Sequence, residues 1–423
     1  MPLFGRKPKP APAPEPVAAP LFPDAPERVR SMAEHLDFLL AQVPALMPFG
    51  VSLLESFGLV LAEEIEADVD IPGYDQAAVD GYGVRAVDVS RGLPVKLAVV
   101  GEIDAGGVAE DSLPPRTAMI LRAGAPIPDG VDAVVPAEWT DLGEFDVEIR
   151  RAVAPGENIS ARGSDISGDT TIARSGDRLT ARRLAVLAGV GVDKVLVRPR
   201  PRVVVVGVGA NLVRPGTPTL KPGQAFSAAT TLVAGIARAE GAQVYDAGLV
   251  GESDAELEAV VSDQLIRADL IIVVGGLRLD GGIAGKVAAG LGVADLAEVN
   301  LHHARAQGFA LVGDDELPML LFPGDPDAAY ASMQAFGRPV VRRLLGARPM
   351  DWEQARLKLT RDVVSTDGAQ LIPAGVRDGE ATPLTDRGPL AALAEADALI
   401  ALPEGGSARA GEAVVCWLLD GGQ

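Results

Sequence analysis

The chain has 423 residues, and 38 Lys and Arg against 58 Asp and Glu give it a formal net charge of −20. That balance argues against nucleic acid or an anionic membrane surface as the main partner, because either would need a basic face. One cysteine, Cys416, excludes an internal disulfide or a cysteine-based zinc site, and three histidines, His35, His302 and His303, exclude a multi-histidine metal cage. Apolar residues make up 48% of the chain but aromatics only 4%, so cores of Val, Leu, Ile and Ala are expected, spread over several domains. No apolar run approaches the ~18 residues of a membrane span. After Arg6, Lys7 and Lys9 come prolines in place of the apolar stretch of a secretory signal. These features predict a soluble, cytoplasmic protein with no membrane insertion.

Residues 1–26 contain nine prolines, which fix φ and remove N–H donors, so an extended, disordered arm is expected there. From Glu27 onward, Met32, Leu36, Leu39, Leu40, Val43 and Leu46 recur at helical spacing, and a second helix is expected over Ser52 to Glu64. Between about 70 and 155, short apolar runs punctuated by Gly and Pro, such as VKLAVVGEI and AMILRAG, read as strands of a small β-rich unit. A helical pattern returns at Thr180 to Gly189. The run VVVVGVG from Val203 predicts a strand buried on both faces. Helix and strand then alternate to Leu345, which argues for a doubly wound α/β domain. The tail carries LIPAGV, DALIALPEG and EAVVCWLL, short strands of a C-terminal β module. The adjacent pair His302-His303 reads as a solvated loop pair.

Three segments in this order resemble one family. They are IPGYDQAAVDGYGVRA at 71–86, LRAGAPIPDGVDAVVPAE at 121–138 with ENISARGSDI at 157–166, and the α/β segment with VVGG at 273–276 and FPGDP at 322–326. Together they resemble the molybdopterin molybdenumtransferases, the MoeA proteins and the E domain of gephyrin. The resemblance implies a homodimer of four subdomains: a helical subdomain I at 27–70 and 156–198, a β-rich subdomain II at 71–155, a MogA/MoaB-like molybdopterin-binding subdomain III at 199–347, and a β subdomain IV at 348–423. It also implies insertion of molybdenum from molybdate into adenylated molybdopterin, with Mg2+, in a cleft rich in backbone amides and carboxylates.

Residue by residue, the resemblance carries Asp80, Asp165 and Glu252 over as catalytic candidates, with Asp80 and Glu252 also as Mg2+ ligands. Asp80 either serves the chemistry or forms only a tight turn with Gly81. Gly81, Tyr82, Arg122, Gly124, Gly275, Gly276, Arg305, Pro323, Gly324, Asp325 and Pro326 are carried over as molybdopterin-binding positions. The chain departs from the family pattern around them. Ala77 and Ala123 stand where the family has hydroxyls, and Gly207-Val208-Gly209-Ala210-Asn211-Leu212 replaces Ser-Thr-Gly-Asp-Glu-Leu. Ile283 falls where the family places an aspartate, with Asp280 nearby, and Arg305 is the one cation left in a turn where the family has two lysines. Asp325 replaces an asparagine. These changes move the local charge by about three units against an anionic ligand. Three functions follow from this pattern: a molybdenum insertase, a carrier or sensor that binds molybdopterin without turnover, and a non-catalytic dimeric adaptor. The adaptor would bind the peptide tail of a membrane receptor or of a cytoskeletal or division protein.

Overall fold

The computed structural model describes residues 27–110, 112–348, 352–365 and 367–419; the expected proline-rich arm lies outside them. Two compact units divide the chain. One is Phe49–Val197, and the other joins the residues up to Pro48 with those from Arg198 onward.

The second of these units is built on a seven-stranded sheet. Its strands are β1 (Arg202–Val208), β2 (Gln243–Val250), β3 (Leu270–Val274), β4 (Gly292–Val299), β5 (Ala306–Val312) and β6 (Leu317–Phe322), with the short strand Val29–Arg30 at one edge. The order across the sheet is Val29–Arg30, β4, β5, β6, β3, β1, β2. β2, β1, β3 and β6 run parallel, and β5 runs antiparallel to both its neighbours. Val203 to Val206 are at most 1% exposed, as expected for a strand covered on both faces.

The cover on one face comes from α1 (Met32–Gln42), α2 (Ala228–Ala239), α5 (Pro326–Ser332) and α6 (Arg338–Leu345). On the other it comes from α3 (Asp254–Gln264) and α4 (Gly282–Leu291). Leu257 and Val261 of α3 and Ala284, Val287 and Ala288 of α4 pack with Val204, Val206, Ile271 and Val273 in one apolar cluster. This is the doubly wound domain that the alternating pattern predicts. β4 escaped the sequence reading. Its segment, Gly-Val-Ala-Asp-Leu-Ala-Glu-Val, continues the Ala-rich composition of α4, and what fixes it as a strand is antiparallel pairing with β5, the next strand in the chain.

The expected block 27–70 divides in the structure. Ser31 and Glu34 form a reciprocal cap at the start of α1, with Glu34 N–H donating to Ser31 Oγ at 3.2 Å and Ser31 N–H to Glu34 Oε2 at 2.8 Å. Just before this cap, Arg30 makes a bidentate ion pair with Asp295 of β4 at 2.7 and 2.8 Å, both side chains being 1% exposed. Residues 29–42 therefore dock on the α/β sheet. The helix expected at Ser52 to Glu64 is absent. Phe49–Ser52 and Val60–Leu61 are strands that flank Lys194–Arg198, joined by turns in which Gly58 takes φ 77°. Pairing with this distant strand buries Leu61 against Leu179, Leu187, Val195 and Val197, and so overrides the local helical spacing.

The rest of the Phe49–Val197 unit is the predicted β-rich part, a five-stranded sheet in the order 146–149, 95–103, 117–121, 81–84, 133–136, and the helix Ala181–Gly189. The C-terminal module is a closed barrel of five strands, with Leu359, Ile372, Ile400 and Cys416 in its core. Among the described residues no helix is long and apolar enough to cross a membrane.

Candidate functional site

The strand order reverses direction at β1: the chain steps from β1 to β2 on one side and then to β3 on the other. In an open parallel sheet this leaves a crevice at the carboxyl ends of the two diverging strands. A cavity of about 430 Å³ lies there, lined by Val208 and Gly209 after β1, Glu252 after β2, Gly275 and Gly276 after β3, and Gly324, Asp325 and Pro326 after β6. Asn211 and Phe226 of the loop between β1 and α2, the first turn of α2 at Ala228 and Ala229, and Leu390 complete its wall. A second cavity of about 270 Å³ shares Glu252 and Gly276 with it and adds Asp254, Arg278, Gly282, Ile283 and Lys286.

The floor of the larger cavity is backbone. Gly275 has φ 98°, and a Cβ there would fall 2.2 Å from the carbonyl oxygen of Val208. Gly324 lies so close that its Cβ would be 3.1 Å from the Cα of Gly275. The loops after β1, β3 and β6 thus pass one another at backbone contact, which only glycine permits. The first turn of α2 adds the free amides and positive end of a helix dipole, the surroundings in which a phosphate or oxyanion is held.

Glu252, Gly275, Gly276, Gly324, Asp325 and Pro326 are therefore brought together around one cavity. Pro323 belongs to the same turn, directly after Phe322, whose carbonyl accepts the Gly275 N–H at 2.9 Å. Arg305 is not part of this cavity. Its guanidinium is held by Glu298 and, at 3.1 Å, by Asp367, and the hydrogen bond to Glu298 raises its pKa. His302 and His303, whose rings are 3.8 Å apart, line a separate cavity with Tyr330 and Arg387.

The remaining candidates belong to the Phe49–Val197 unit. Asp80 Oδ1 accepts the Ala123 N–H at 2.7 Å and so caps the turn in which Gly124 takes φ 86°; the carboxylate has a definite structural task. Arg122 Nη2 meets Glu102 at 2.6 Å and Arg122 Nε lies 4.0 Å from Asp104. The hydrogen bond that Arg122 donates to Glu102 raises the Arg122 pKa. Asp165 is exposed, and its N–H donates to the Ile71 carbonyl at 3.0 Å. Tyr82 is a correction: its ring is 5% exposed in the sheet core and its hydroxyl donates to the Gly143 carbonyl at 3.1 Å, so it presents no surface to a ligand. Burial, followed by the Asp141 charge, raises its phenol pKa. Gly81 likewise answers to packing, since a Cβ would fall 2.0 Å from the Val135 carbonyl oxygen.

Lys286 and Asp254 were missed in the sequence. Helical spacing carries the signal for the lysine, because Gly282, Ile283 and Lys286 stand at i, i+1 and i+4 on one face of α4. Among the described residues no group of three or more His, Cys, Asp or Glu is gathered for a metal ion. Glu252 lines both cavities, while Asp254 is ion-paired with Lys286; a magnesium ion held at Glu252 would take most of its ligands from water and a bound phosphate, as that ion commonly does.

Comparison with known proteins agrees with this geometry. Residues 30–191 match the model of the MoeA N-terminal region (domain I and II), 204–343 that of a probable molybdopterin binding domain, and 356–419 that of the MoeA C-terminal region (domain IV). Molybdopterin molybdenumtransferase 1 of Mycobacterium tuberculosis is 33% identical over 430 residues, covering 91% of this chain and 98% of that protein. The molybdopterin molybdenumtransferase of Bacillus subtilis is 31% identical over 373 residues, covering 84% and 86%. The crystal structure of the molybdopterin biosynthesis MoeA protein from Pyrococcus horikoshii superposes with a TM-score of 0.78 at 25% identity, covering 93% of this chain and all of that one. With a cavity at the switch point of its α/β domain and all three regions matched in order, the chain belongs to the MoeA family of molybdopterin molybdenumtransferases.

Proposed function

We propose that this chain serves molybdenum cofactor biosynthesis by binding adenylated molybdopterin in the β1–β3 crevice, where molybdenum from molybdate is inserted. The observation that carries this is the glycine-floored cavity of about 430 Å³ on the domain that matches the molybdopterin-binding model. Backbone amides and the first turn of α2 suit the phosphate groups, which need close approach of N–H donors. Asn211 and Ser227 offer polar side chains at the wall, and Glu252 and Asp325 are its carboxylates. In this proposal Glu252 would hold Mg2+ against the ligand's phosphates, where the ion would neutralise their charge. The chain's own contribution is to seat the ligand, orient it against the β1 and β3 turns, and hold water off the apolar side near Phe226 and Leu390.

The adaptor alternative is not favoured, since relatives of 31% and 33% identity along most of the chain are named as transferases. Homodimerisation belongs to the proposal, and so does a cytoplasmic site of action. Expression of the chain in cells lacking their molybdopterin molybdenumtransferase tests the reading. Restored activity of a molybdenum enzyme at ordinary molybdate supports it; failure to restore activity by a protein that is soluble and folded in those cells sinks it.

A further inference from the structure

The cation expected near the pocket, Arg305, is committed to Glu298 and Asp367. The cations that do line the joined cavities are Arg278 and Lys286, and neither is idle. Lys286 Nζ is ion-paired with Asp254 of α3. Arg278 Nε lies 3.7 Å from Asp280 Oδ1, and the same oxygen accepts the Gly282 N–H at 3.1 Å. Each cation of the smaller cavity thus already faces a carboxylate of this chain.

We infer that Arg278 and Lys286 receive a tetrahedral oxyanion of the ligand, and that Asp280 and Asp254 stand in for it until it arrives. This rests on the reading of the cavity as the molybdopterin pocket. Three features favour an exchange over a permanent clasp. The side chains of Arg278 and Lys286 are 77% and 74% exposed, and pairs in that setting contribute little to stability and are readily given up. The smaller cavity adjoins the glycine-floored one, with Glu252 and Gly276 lining both, so a ligand seated on the floor would have its anionic end beside both cations. Asp280 already places an oxygen against a guanidinium and a backbone N–H together, which is the coordination an oxyanion oxygen would take up. The oxyanion is either a phosphate of the ligand or free molybdate, since both are tetrahedral and anionic.

The sign of one substitution decides the matter. Titration calorimetry of the full chain with inorganic phosphate, and separately with sodium molybdate, would compare wild type with Asp254→Asn, Asp280→Asn, Lys286→Gln and Arg278→Gln. Exchange predicts that each Asp→Asn variant binds about fivefold tighter, because a competing anion has gone. It predicts that each cation variant binds about tenfold weaker. Tightening for phosphate alone assigns the pair to the phosphate group, and tightening for molybdate alone assigns it to the metal oxyanion. Asp→Asn variants that bind as wild type does, or more weakly, overturn the inference, since a merely structural clasp loses affinity when cut. So does an absence of oxyanion binding in every protein. A last titration with molybdopterin separates this inference from the reading beneath it: tightened phosphate binding without any molybdopterin binding would leave an oxyanion exchange site in a pocket for some other ligand.

Discussion

Gly275 sits where a methyl group has no room, at φ 98° and with the Val208 carbonyl oxygen 2.2 Å from the position of its missing Cβ. Gly275→Ala should cost about 2–4 kcal/mol, from left-handed backbone and a contact that only a backbone shift relieves. Urea unfolding measures that loss, and the variant should fail in the complementation assay even where it remains soluble. His35 is a different case. It is 1% exposed, stacks edge-on to Phe336 and lies 3.3 Å from Arg30, and burial followed by the Arg30 charge lowers its pKa from 6.5 to about 3. The folded state keeps this ring neutral while the unfolded chain protonates it, so the unfolded state binds more protons below pH 6.5. Stability attributable to His35 should be whole above pH 6.5 and fall by about 1.4 kcal/mol per pH unit from there toward pH 3. Denaturant midpoints of wild type and His35→Gln between pH 7 and pH 4.5 should converge as pH falls; parallel curves would refute the assignment. Cys416 completes this scale. Buried in the barrel core, its thiol is pushed up to about 11 by desolvation, so it should react with a thiol reagent only after unfolding.

Among the elements, the N-terminal strand and α1 are joined to the α/β sheet by the buried Arg30–Asp295 pair, and Phe38 packs under the Arg30 guanidinium at 4.9 Å. Removing one member of such a pair leaves the other charged and desolvated. Asp295→Asn should therefore cost about 3–5 kcal/mol, read as a lower urea midpoint and as faster amide exchange in α1. This pair also marks where sequence reading stopped. α1, α2, α3, β1, β2, β3, β5 and β6 were all legible, because each carries a helical apolar spacing or a short apolar run bounded by turn residues. The segment after Ser52 was misread because its apolar spacing is helical while its partner, Lys194–Arg198, lies far along the chain. β4 was missed for another reason: its Ala-rich sequence runs on from α4 without a break, so nothing local marks where helix gives way to the strand that pairs with β5.

For the molecule as a whole, the candidate site was legible where glycine and proline turns carry it and illegible where side chains do. Gly275, Gly276, Gly324, Pro326 and Glu252 came from the family resemblance, and the structure gathers them around one cavity. Arg305 lies outside this cavity, and its carboxylate partners, Glu298 and Asp367, stand 7 and 62 residues away, so the pairing has no local sequence signal. Lys286 went unseen because its helical spacing from Gly282 and Ile283 gains meaning only once the start of α4 is known to line a cavity. At this scale the exposed Leu54 and Phe57, 82% and 58% accessible in the Phe49–Val197 unit, bear on the proposed homodimer. Light scattering should give twice the 43.7 kDa chain mass, and Leu54→Glu with Phe57→Glu should shift it to the monomer. A dimer that survives the double substitution would place the contact elsewhere.

The backbone contact between the Val208, Gly275 and Gly324 turns has a bearing on how this protein can change over evolutionary time. A floor made of main chain has no side chains to exchange, so it offers selection nothing to vary. All variation in what the crevice accepts must come from its rim, at Asn211, Glu252, Arg278, Lys286 and Asp325. A lineage, or an engineer, can rewrite charge and shape at those positions one at a time while the floor stays as it is. The same feature sets the bound on that freedom: a new cargo must still present a small, flat or anionic end to three touching peptide turns, whatever its other end has become.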